Sequence, residues 1–349
     1  MNKITFICPS YNHEEYVLDF LNSLLNQTCP DWELIIIDDS SKDKTADKIK
    51  SVKDERIHFI QNSYNQGINA TLNKGIALAD SELISFIASD DMLSPKYVQT
   101  VLETFKKDTD ISVCYTPLSL INQKGKSLNK IMSLPTQKSQ EQIFAEMFLG
   151  EDLLWSPGMA FKKSAIMPFL PLDTGLLQYS DWYLQFLFVY NCKIKLLKTP
   201  LVYYRVSYKT ISYVATTSNV RKETETKKLM DTVLNLIGNN KENFLKYFGN
   251  YSLIKENNIV PQTIPFWLGR LALTSSNNFK QKWGLQTIMN FISTKDNLDL
   301  LNQLYGFSYK DYIGYSSMIK PNYKEQFKIL IKGIIIKYRV KLKDLFHLQ

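Results

Sequence analysis

The sequence lacks the features that would place it across a membrane or in an oxidising compartment. It contains no uninterrupted apolar run that approaches the ~20 residues a membrane-spanning helix needs. Met1-Asn2-Lys3 leads into a short apolar run that stops at Pro9, unlike a signal peptide. The four cysteines are far apart and form no CxxC pair, which indicates free thiols in a reducing compartment. We therefore expect a cytoplasmic protein, either free or peripheral on the inner face of the plasma membrane.

The positive charge is too unevenly distributed to indicate a general nucleic-acid surface. The 349 residues carry a net charge of +8. Residues 324–344 hold seven lysine and arginine side chains and two acidic ones, so this segment accounts for +5 and the remainder for about +3. We therefore expect no nucleic-acid partner. The hydrophobic content of 44% is sufficient for a sizeable core and two domains.

Short apolar runs alternate with helical patterns over roughly the first 115 residues. The spacing predicts strands at 4–8, 33–37, 57–60, 83–87 and 111–115, and helices from about Val17, 44–52, 70–79 and 95–106. We expect Pro9 to end the first strand and Asn12 with Glu15 to form a capping box for the first helix. The alternation predicts an α/β fold with a mainly parallel sheet flanked by helices.

Two of the predicted strands end in adjacent carboxylates, Asp38-Asp39 and Asp90-Asp91. Either pair alone is also compatible with an acidic cap on the following helix. However, the carboxyl ends of parallel strands share one edge of a sheet, where ligands bind, so the two pairs can meet in one cleft. Adjacent carboxylates repel each other unless a cation is present, and Mg²⁺ or Mn²⁺ takes such oxygen ligands together with substrate phosphates.

The order and spacing of four motifs resemble the family 2 glycosyltransferases of the GT-A fold, of the bacterial surface-polysaccharide type. The resemblance covers roughly residues 3–115 and continues more weakly to about residue 212. The motifs are Pro9-Ser10-Tyr11-Asn12, the segment from Ile37 to Thr45 around Asp38-Asp39, Asn65-Gln66-Gly67 with Asn73-Lys74-Gly75, and Ser89-Asp90-Asp91.

The resemblance implies roles for residues at the strand ends. Tyr11 and Asp39 would hold the nucleotide base, with Asp39 accepting from the imide N–H of a uracil-type ring, and Pro9 and Asn65 would also contribute to donor binding. Asp90 would lie near the ribose and the sugar. Asp91 would bind a divalent metal ion that bridges the diphosphate.

Later residues extend the resemblance, but some family positions differ. Arg205 follows Tyr203-Tyr204 in a segment resembling the closing strand of the family, and it is either a diphosphate ligand or a structural residue. Ala88, Leu72 and Ser207 stand where many relatives carry an acid, an arginine and a histidine. We therefore expect fewer metal and donor-sugar contacts than in typical members.

Asp181 is the candidate catalytic base. The family usually has Glu-Asp at the start of a helix here, and this chain has Ser180-Asp181 followed by an apolar helical pattern. The resemblance implies that Asp181 removes a proton from the acceptor hydroxyl, and the alternative is that Ser180 or Asp181 only caps the helix. Trp155 is either a core aromatic or part of an acceptor cleft.

We expect a nucleotide-sugar-binding and catalytic domain over 1–215 and an α-helical C-terminal region over 216–349. The C-terminal region is predicted to end in a basic amphipathic helix near 324–345, which either lies on an anionic membrane surface or packs on the protein core.

The expected activity is transfer of a hexosyl or N-acetylhexosaminyl group from a nucleotide diphosphate donor, most simply UDP, to a hydroxyl of a glycan or lipid-linked acceptor. A single inverting, metal-dependent displacement is expected. Two alternatives stay open. One is a non-catalytic nucleotide- or glycan-binding module, which the departures from the family pattern would fit. The other is a sugar-phosphate nucleotidyltransferase, which would carry a glycine-rich phosphate loop where this chain has Pro9-Ser10-Tyr11-Asn12.

Overall fold

A computed structural model describes residues 3–177, 179–206, 218–255 and 257–318. The chain divides into two compact units. The first comprises Met1–Thr216 with Asp231–Leu236, and the second comprises Thr217–Met230 with Ile237–Gln349. All four cysteines are free, as their spacing predicts.

The first unit is organised around a mainly parallel sheet of seven strands. The strands of the described residues are β1 Ile4–Ser10, β2 Trp32–Asp38, β3 Ile57–Gln61, β4 Leu83–Phe86, β5 Met92–Leu93, β6 Val113–Tyr115, β7 Leu118–Ile121, β8 Ser127–Met132, β9 Met159–Lys162, β10 Ile194–Leu196 and β11 Val202–Arg205. The large sheet has the order β10-β6-β9-β4-β1-β2-β3, in which β9 is antiparallel to both neighbours and the other pairs are parallel. A smaller sheet has the order β5-β11-β7-β8. The predicted α/β class and mainly parallel sheet are confirmed.

In the first unit α-helices alternate with the strands, and in the described part of the second unit the regular elements are helices. They are α1 Val17–Leu25, α2 Thr45–Ser51, α3 Ile68–Leu78, α4 Tyr97–Lys107, α5 Gln140–Leu149, α6 Lys163–Ile166, α7 Ser180–Asn191, α8 Asn219–Ile237, α9 Lys241–Phe248, α10 Ser252–Lys255, α11 Ile264–Leu273, α12 Asn278–Ile292, α13 Lys295–Tyr305 and α14 Tyr309–Met318. The predicted C-terminal helical region is confirmed for the described residues.

The core of the first unit lies between the central strands and the helices α1 and α4. Phe6, Leu34 and Ile36 of β1 and β2 are fully buried, and they share a hydrophobic cluster with Phe20 and Phe105 of the helices. The continuous apolar run of β2 is explained by burial along its whole length, as expected for a central parallel strand.

Pro9 does not end the first strand, contrary to the prediction. It lies within β1 and pairs with Ile37 of β2. The strand β4, on the other side, pairs with β1 only as far as Ile7, so Pro9 lies beyond the part of β1 that has ladder partners on both sides. A proline that lacks an N–H is tolerated at such a position.

The predicted capping box at the first helix is also wrong. Helix α1 begins at Val17, and no side chain caps its first turn. Asn12 instead has a positive φ of 54° and accepts a hydrogen bond from Lys42 N at 2.9 Å. The loop after β1 is thus tied to the loop after β2, because an asparagine side chain binds whichever backbone group the tertiary structure brings near it.

Residues 116–178, which lacked a clear sequence pattern, contain β7, β8 and β9. The short strand β9 inserts between β4 and β6, and Gly158 N donates to Phe86 O at 2.9 Å where β9 begins. The antiparallel direction of β9 places the residues just before it at the carboxyl end of β4. This insertion brings the loop around Ser156 to the edge where the acidic strand ends lie.

The second unit contains a close pair of helices, α11 and α12. A Cβ atom added at Gly284 of α12 would lie 2.5 Å from Gly269 O of α11, so the two backbones approach at these glycines. Phe266 and Trp267 of α11 pack against Tyr305, with ring centroids 6.5 Å and 5.0 Å away.

Two expectations fall on residues outside the described ranges. The basic amphipathic segment near 324–345 lies there, and so does Ser207. Within the described ranges, no helix has the length and apolar character needed to cross a membrane.

Candidate active site

The two acidic strand ends lie at one edge of the large sheet, on either side of the end of β1. Ser10, the last residue of β1, connects them. Its carbonyl oxygen accepts from Asp39 N at 2.8 Å, and its hydroxyl oxygen accepts from Ser89 Oγ at 2.8 Å. The structure therefore brings Asp39 next to the segment that carries Asp90 and Asp91.

The Asp39 carboxylate organises the loop that precedes α3. Asp39 is 4% exposed; its Oδ1 accepts from Asn62 Nδ2 and Gln66 N at 2.9 Å each, and its Oδ2 accepts from Gly67 N at 2.8 Å. Helix α3 starts at the next residue, so its N-terminal dipole also favours the negative charge. A carboxylate offers about four acceptor positions, so one position remains for a ligand N–H.

The three other residues predicted to bind the donor at the strand ends differ in their exposure. Tyr11 is 37% exposed, Asn65 is exposed in the loop held by Asp39, and Pro9 is partly exposed in β1. Tyr11 and Asn65 are thus open to an incoming molecule, whereas Pro9 is part of the sheet.

Asp90 and Asp91 occupy the turn after β4, where little of either residue is exposed. Asp90 is 7% and Asp91 is 1% exposed. Burial raises the pKa of Asp91, the neighbouring Asp90 charge adds to this, and a hydrogen bond and the charge of Arg205 oppose it. The hydrogen bond runs from Arg205 N to Asp91 Oδ1 at 2.9 Å.

The Arg205 guanidinium is buried beneath this turn and faces protein atoms. Its side chain has no exposed surface. It donates to four groups: Asp90 O at 2.7 Å, Gln123 O at 2.8 Å, Asn122 O at 3.3 Å and Asp19 Oδ2 at 3.0 Å. It also lies 4.7 Å from the Tyr16 ring centroid. Of the two roles that the sequence left open, this geometry favours the structural one.

The turn offers a partial ligand set for a divalent cation. Burial raises the pKa of the Cys8 thiol, and the charges of Asp90 and Asp91 add to this increase. The described residues contain no cluster of three or more His, Cys, Asp or Glu side chains suited to a metal. One or two carboxylates completed by substrate phosphates is nevertheless the usual arrangement for Mg²⁺. The carboxylates of Asp91 and Asp90 therefore fit a cation that binds together with a diphosphate.

His13 and Ser89 lie beside these acids and were not predicted as site residues. His13 Nδ1 lies 2.8 Å from Ser89 Oγ, and His13 Nε2 lies 3.9 Å from Asp90 Oδ2. His13 directly follows Tyr11-Asn12, and Ser89 directly precedes Asp90. Their positions next to predicted site residues could have identified them in the sequence.

Asp181 lies in the first turn of α7, as the helical pattern predicts. Its side chain is accessible to solvent, and burial by the surrounding protein nevertheless raises its pKa, while a hydrogen bond from Ser156 opposes the increase. An accessible carboxyl surrounded by protein atoms is typical of a cleft. Burial also raises the pKa of the nearby Asp152 to about 6, the charge of Asp181 adds to this, and a hydrogen bond from Trp182 opposes it.

Two asparagines of α3 hold the segment that leads to Asp181. Asn73 Nδ2 donates to Leu172 O at 2.9 Å, and Asn73 Oδ1 accepts from Leu172 N at 2.7 Å. Asn69 Oδ1 accepts from Ser180 Oγ at 2.6 Å. The serine that replaces the usual glutamate therefore joins the start of α7 to the start of α3, two residues beyond the Gly67 amide that Asp39 holds.

Leu72, which differs from the family pattern, and Trp155 both pack against the hydrophobic core. Leu72 is 6% exposed and belongs to the buried face of α3. Trp155 is partly buried against the main hydrophobic cluster, and its Nε1 donates to Ser133 O at 3.2 Å. This packing favours the interpretation of Trp155 as a core aromatic.

Comparison with known sequences agrees with the motif pattern. The family model described as Glycosyl transferase family 2 matches residues 5–167. TuaG of Bacillus subtilis (strain 168), named a putative teichuronic acid biosynthesis glycosyltransferase, is 32% identical over 149 residues, which cover 42% of this chain and 59% of TuaG. WfgD of Escherichia coli, named a UDP-Glc:alpha-D-GlcNAc-diphosphoundecaprenol beta-1,3-glucosyltransferase, is 32% identical over 122 residues, which cover 35% of this chain and 48% of WfgD. The chain thus spans less than two thirds of the length of either relative.

Solved structures share the fold. The crystal structure of S. aureus TarS 1-349 in complex with UDP has a TM-score of 0.54 and 16% sequence identity, and covers 82% of this chain and 88% of that one. The complex of the same protein with UDP-GlcNAc has a TM-score of 0.56 and 14% identity over the same fractions. At this identity the likeness establishes the GT-A-like fold alone.

Proposed function

Because residues 5–167 form a glycosyl transferase family 2 domain, we propose that this protein transfers a sugar from a UDP-type donor to a hydroxyl group of a glycan or lipid-linked acceptor. The observation that carries the proposal is that Asp39 and the Asp90-Asp91 turn lie on either side of the end of β1, while the start of α7, which carries Asp181, is bonded to the start of α3. The name of WfgD, a glucosyltransferase that uses UDP-Glc, and the UDP and UDP-GlcNAc complexes of TarS support the choice of donor.

The donor base binds between Tyr11 and Asp39 in this proposal. The Tyr11 ring is accessible for stacking, and the remaining acceptor position of the Asp39 carboxylate suits the imide N–H of uracil. Asn65 lies in the loop that Asp39 orders, so it can contact the nucleoside. Pro9 supports this site from β1, where it fixes the backbone before Tyr11.

A divalent cation at Asp91, with Asp90 beside it, completes the donor site. A bound cation would offset the charge that develops on the diphosphate as it leaves. Asp91 is held for this task by the Arg205 backbone N–H, and the Arg205 side chain fixes the carbonyl of Asp90. The turn that carries the two carboxylates is thus held in place, because any shift of its backbone would break buried hydrogen bonds.

Asp181 is the proposed general base. It removes the proton from the acceptor hydroxyl, whose oxygen attacks the anomeric carbon while the UDP bond breaks on the opposite face, so the configuration inverts. The carboxyl is accessible and its pKa is raised, which suits a base that must take up a proton during turnover.

The central test is UDP release from a panel of UDP-sugars, with and without added glycan acceptors. We expect the wild type to release UDP with at least one donor. Asp181→Asn should lower turnover by about 10²-fold or more and leave the UDP affinity nearly unchanged. The matched control is Asp110→Asn, which alters an exposed carboxylate paired with Lys193 and should keep full activity.

Two outcomes would contradict this assignment. Full activity of Asp181→Asn would remove Asp181 as the base. Tight UDP binding without release from any donor of the panel would favour the non-catalytic module.

The role of Asp91 is tested by titration calorimetry of UDP with and without Mg²⁺ or Mn²⁺. We expect the cation to strengthen UDP binding to the wild type and to have no effect on Asp91→Ala. Asp54→Ala is a suitable control because Asp54 is paired with Arg56 outside the site. An Asp91→Ala protein that still responds to the cation would argue against Asp91 as the metal ligand.

The basic segment near 324–345 is proposed to bring the enzyme to an anionic membrane surface, where a lipid-linked acceptor would be found. This proposal rests on the charge and apolar pattern of the sequence. Flotation with anionic liposomes compares the full chain with a chain ending at Lys320. Equal binding of the two proteins would contradict the proposal.

A further inference from the structure

A buried amide and a lysine form a series of hydrogen bonds that ends at the Asp39 carboxylate. Asn62 directly follows β3 and is 4% exposed. Its Oδ1 accepts from Lys74 Nζ of α3 at 2.9 Å, and its Nδ2 donates to Asp39 Oδ1 at 2.9 Å. Its backbone N–H donates to Asp38 O at 2.8 Å, so Asn62 is held through both its backbone and its side chain. Neither Asn62 nor Lys74 was predicted as a site residue.

The two ends of this series determine how the Asn62 amide is turned. A lysine ammonium can only donate hydrogen bonds, and an ionised carboxylate can only accept them. The amide oxygen must therefore face Lys74, and the amide nitrogen must face Asp39. The lysine charge strengthens the first hydrogen bond, and each bond in such a series polarises the next.

The series decides which oxygen of Asp39 is left for a ligand. Asp39 Oδ1 accepts from both Asn62 Nδ2 and Gln66 N, which uses its two acceptor positions. Among the residues that the structure describes, Asp39 Oδ2 accepts only from Gly67 N, so its second position is open. Gln66 and Gly67 belong to one loop, whereas Asn62 stands at the end of β3. Asn62 therefore fixes the carboxylate relative to the sheet as well as to the loop.

We propose that Asn62 and Lys74 are positioning residues that make the donor site selective for a uracil-type base over cytosine. This inference rests on the proposed function, in which Asp39 accepts from the imide N–H of the donor base. Uracil presents an N–H at that ring position, whereas cytosine presents a lone pair there and an amino group beside it.

The fixed orientation of the Asp39 carboxylate is what would separate the two bases. A carboxylate with one open position on Oδ2 suits the imide N–H of uracil and repels the ring lone pair of cytosine. A carboxylate that is free to turn would instead accept from the cytosine amino group and tolerate both bases. Discrimination of this kind needs a site whose polar groups cannot rearrange to suit the wrong ligand.

The test compares the affinities of UDP and CDP for the full chain by titration calorimetry in the presence of Mg²⁺. We expect the wild type to prefer UDP by about 10- to 100-fold, the size expected for one hydrogen bond to a charged group. Asn62→Leu should reduce this preference by about tenfold. Lys74→Met should reduce it by about threefold, because Asn62 still donates to Asp39. Lys74→Arg keeps an N–H donor and should retain the wild-type preference.

Lys50→Met is the matched control, because a second series of the same kind lies on the neighbouring residues. Lys50 and Lys74 are both exposed. Lys50 Nζ donates to Gln61 Oε1 at 3.3 Å, and Gln61 Nε2 donates to Asp38 Oδ2 at 3.3 Å. Asp38 has no proposed contact with the donor, so this variant should keep the wild-type preference. Equal losses in Lys50→Met and Lys74→Met would overturn the proposal, and so would an unchanged preference in both Asn62→Leu and Lys74→Met.

A second readout needs no nucleotide. An amide proton that is hydrogen-bonded to a carboxylate resonates downfield, so in ¹⁵N-labelled protein the Gln66 and Gly67 signals report the orientation of Asp39. We expect both signals to shift in Asn62→Leu and to stay in place in Lys50→Met. Unmoved signals in Asn62→Leu would overturn the positioning role even in a chain that binds UDP. A wild-type chain that binds neither UDP nor CDP would instead refute the proposed donor, even where these shifts are seen.

Discussion

Replacement of Arg205 by methionine distinguishes a structural guanidinium from a diphosphate ligand. The side chain is fully buried, and methionine fills much of its volume without its five N–H donors. The change leaves the carbonyl oxygens of Asp90 and Gln123 without the donors that reach them at 2.7 Å and 2.8 Å.

The expected cost follows from those contacts. A hydrogen bond to a charged group contributes about 1.5–3 kcal/mol net, and the two short bonds count in full. The bond to Asn122 O is long at 3.3 Å, and the Asp19 partner is 48% exposed, so these two add little. We expect Arg205→Met to lower the free energy of unfolding by about 4 kcal/mol.

Equilibrium unfolding in urea measures this change, with Arg56→Met as the matched control. Arg56 also pairs with a carboxylate, Asp54 at 2.7 Å, and stacks 3.9 Å from the Trp32 ring centroid, but its side chain is 29% exposed. The control should lose less than about 1 kcal/mol.

The same two variants are titrated with UDP under conditions where both are folded. If Arg205→Met has the same urea midpoint of unfolding as the wild type and yet loses UDP affinity, the structural interpretation is refuted. The guanidinium would then be a ligand of the donor diphosphate, which is the other role that the sequence left open for Arg205.

Three further predictions test the connections within the first unit. Asp39→Asn places an N–H₂ group opposite the N–H donors of the loop before α3. We therefore expect the free energy of unfolding in urea to fall by about 2 kcal/mol and UDP binding to weaken. Wild-type stability would contradict the organising role of the carboxylate. Ser180→Ala removes the bond between α7 and α3 and should lower kcat about tenfold or more through misplacement of the base, with little change in donor KM; an effect confined to KM would argue against it. Gly75→Ala would place a Cβ atom 2.3 Å from Ile7 Cγ2 and should destabilise the first unit by about 1–3 kcal/mol. The control Gly314→Ala lies in open space on α14 and should be neutral or slightly stabilising in the same measurement.

The local sequence was sufficient for the first four βα repeats. Periods of about two and 3.6 residues distinguish strands from helices, and continuous apolar runs such as the one in β2 mark buried parallel strands. The position of Asp39 and Asp91 at a shared edge followed from those assignments, because parallel strands all end on the same side. The start of a helix near Asp181 was predicted from the family resemblance and the apolar helical pattern that follows.

The errors at Pro9 and Asn12 have a different origin. Whether a proline ends a strand depends on which neighbouring strands pair beside it, and whether an asparagine caps a helix depends on which backbone groups lie near it. Both conditions are set by β4 and by the loop after β2, which are distant in the sequence.

The sequence by itself thus determined the fold class, the acidic strand ends and the family pattern, since these depend on periodicity and on residue order. Only the tertiary structure decided that Arg205 is buried under the Asp90-Asp91 turn and that Ser180 binds Asn69, contacts between residues 115 and 111 positions apart. It also joined Gln185 of α7 to Ser156, which lies just before β9. Contacts over such distances form only after β9 and α7 have packed on the sheet, and no local pattern of residues encodes that packing.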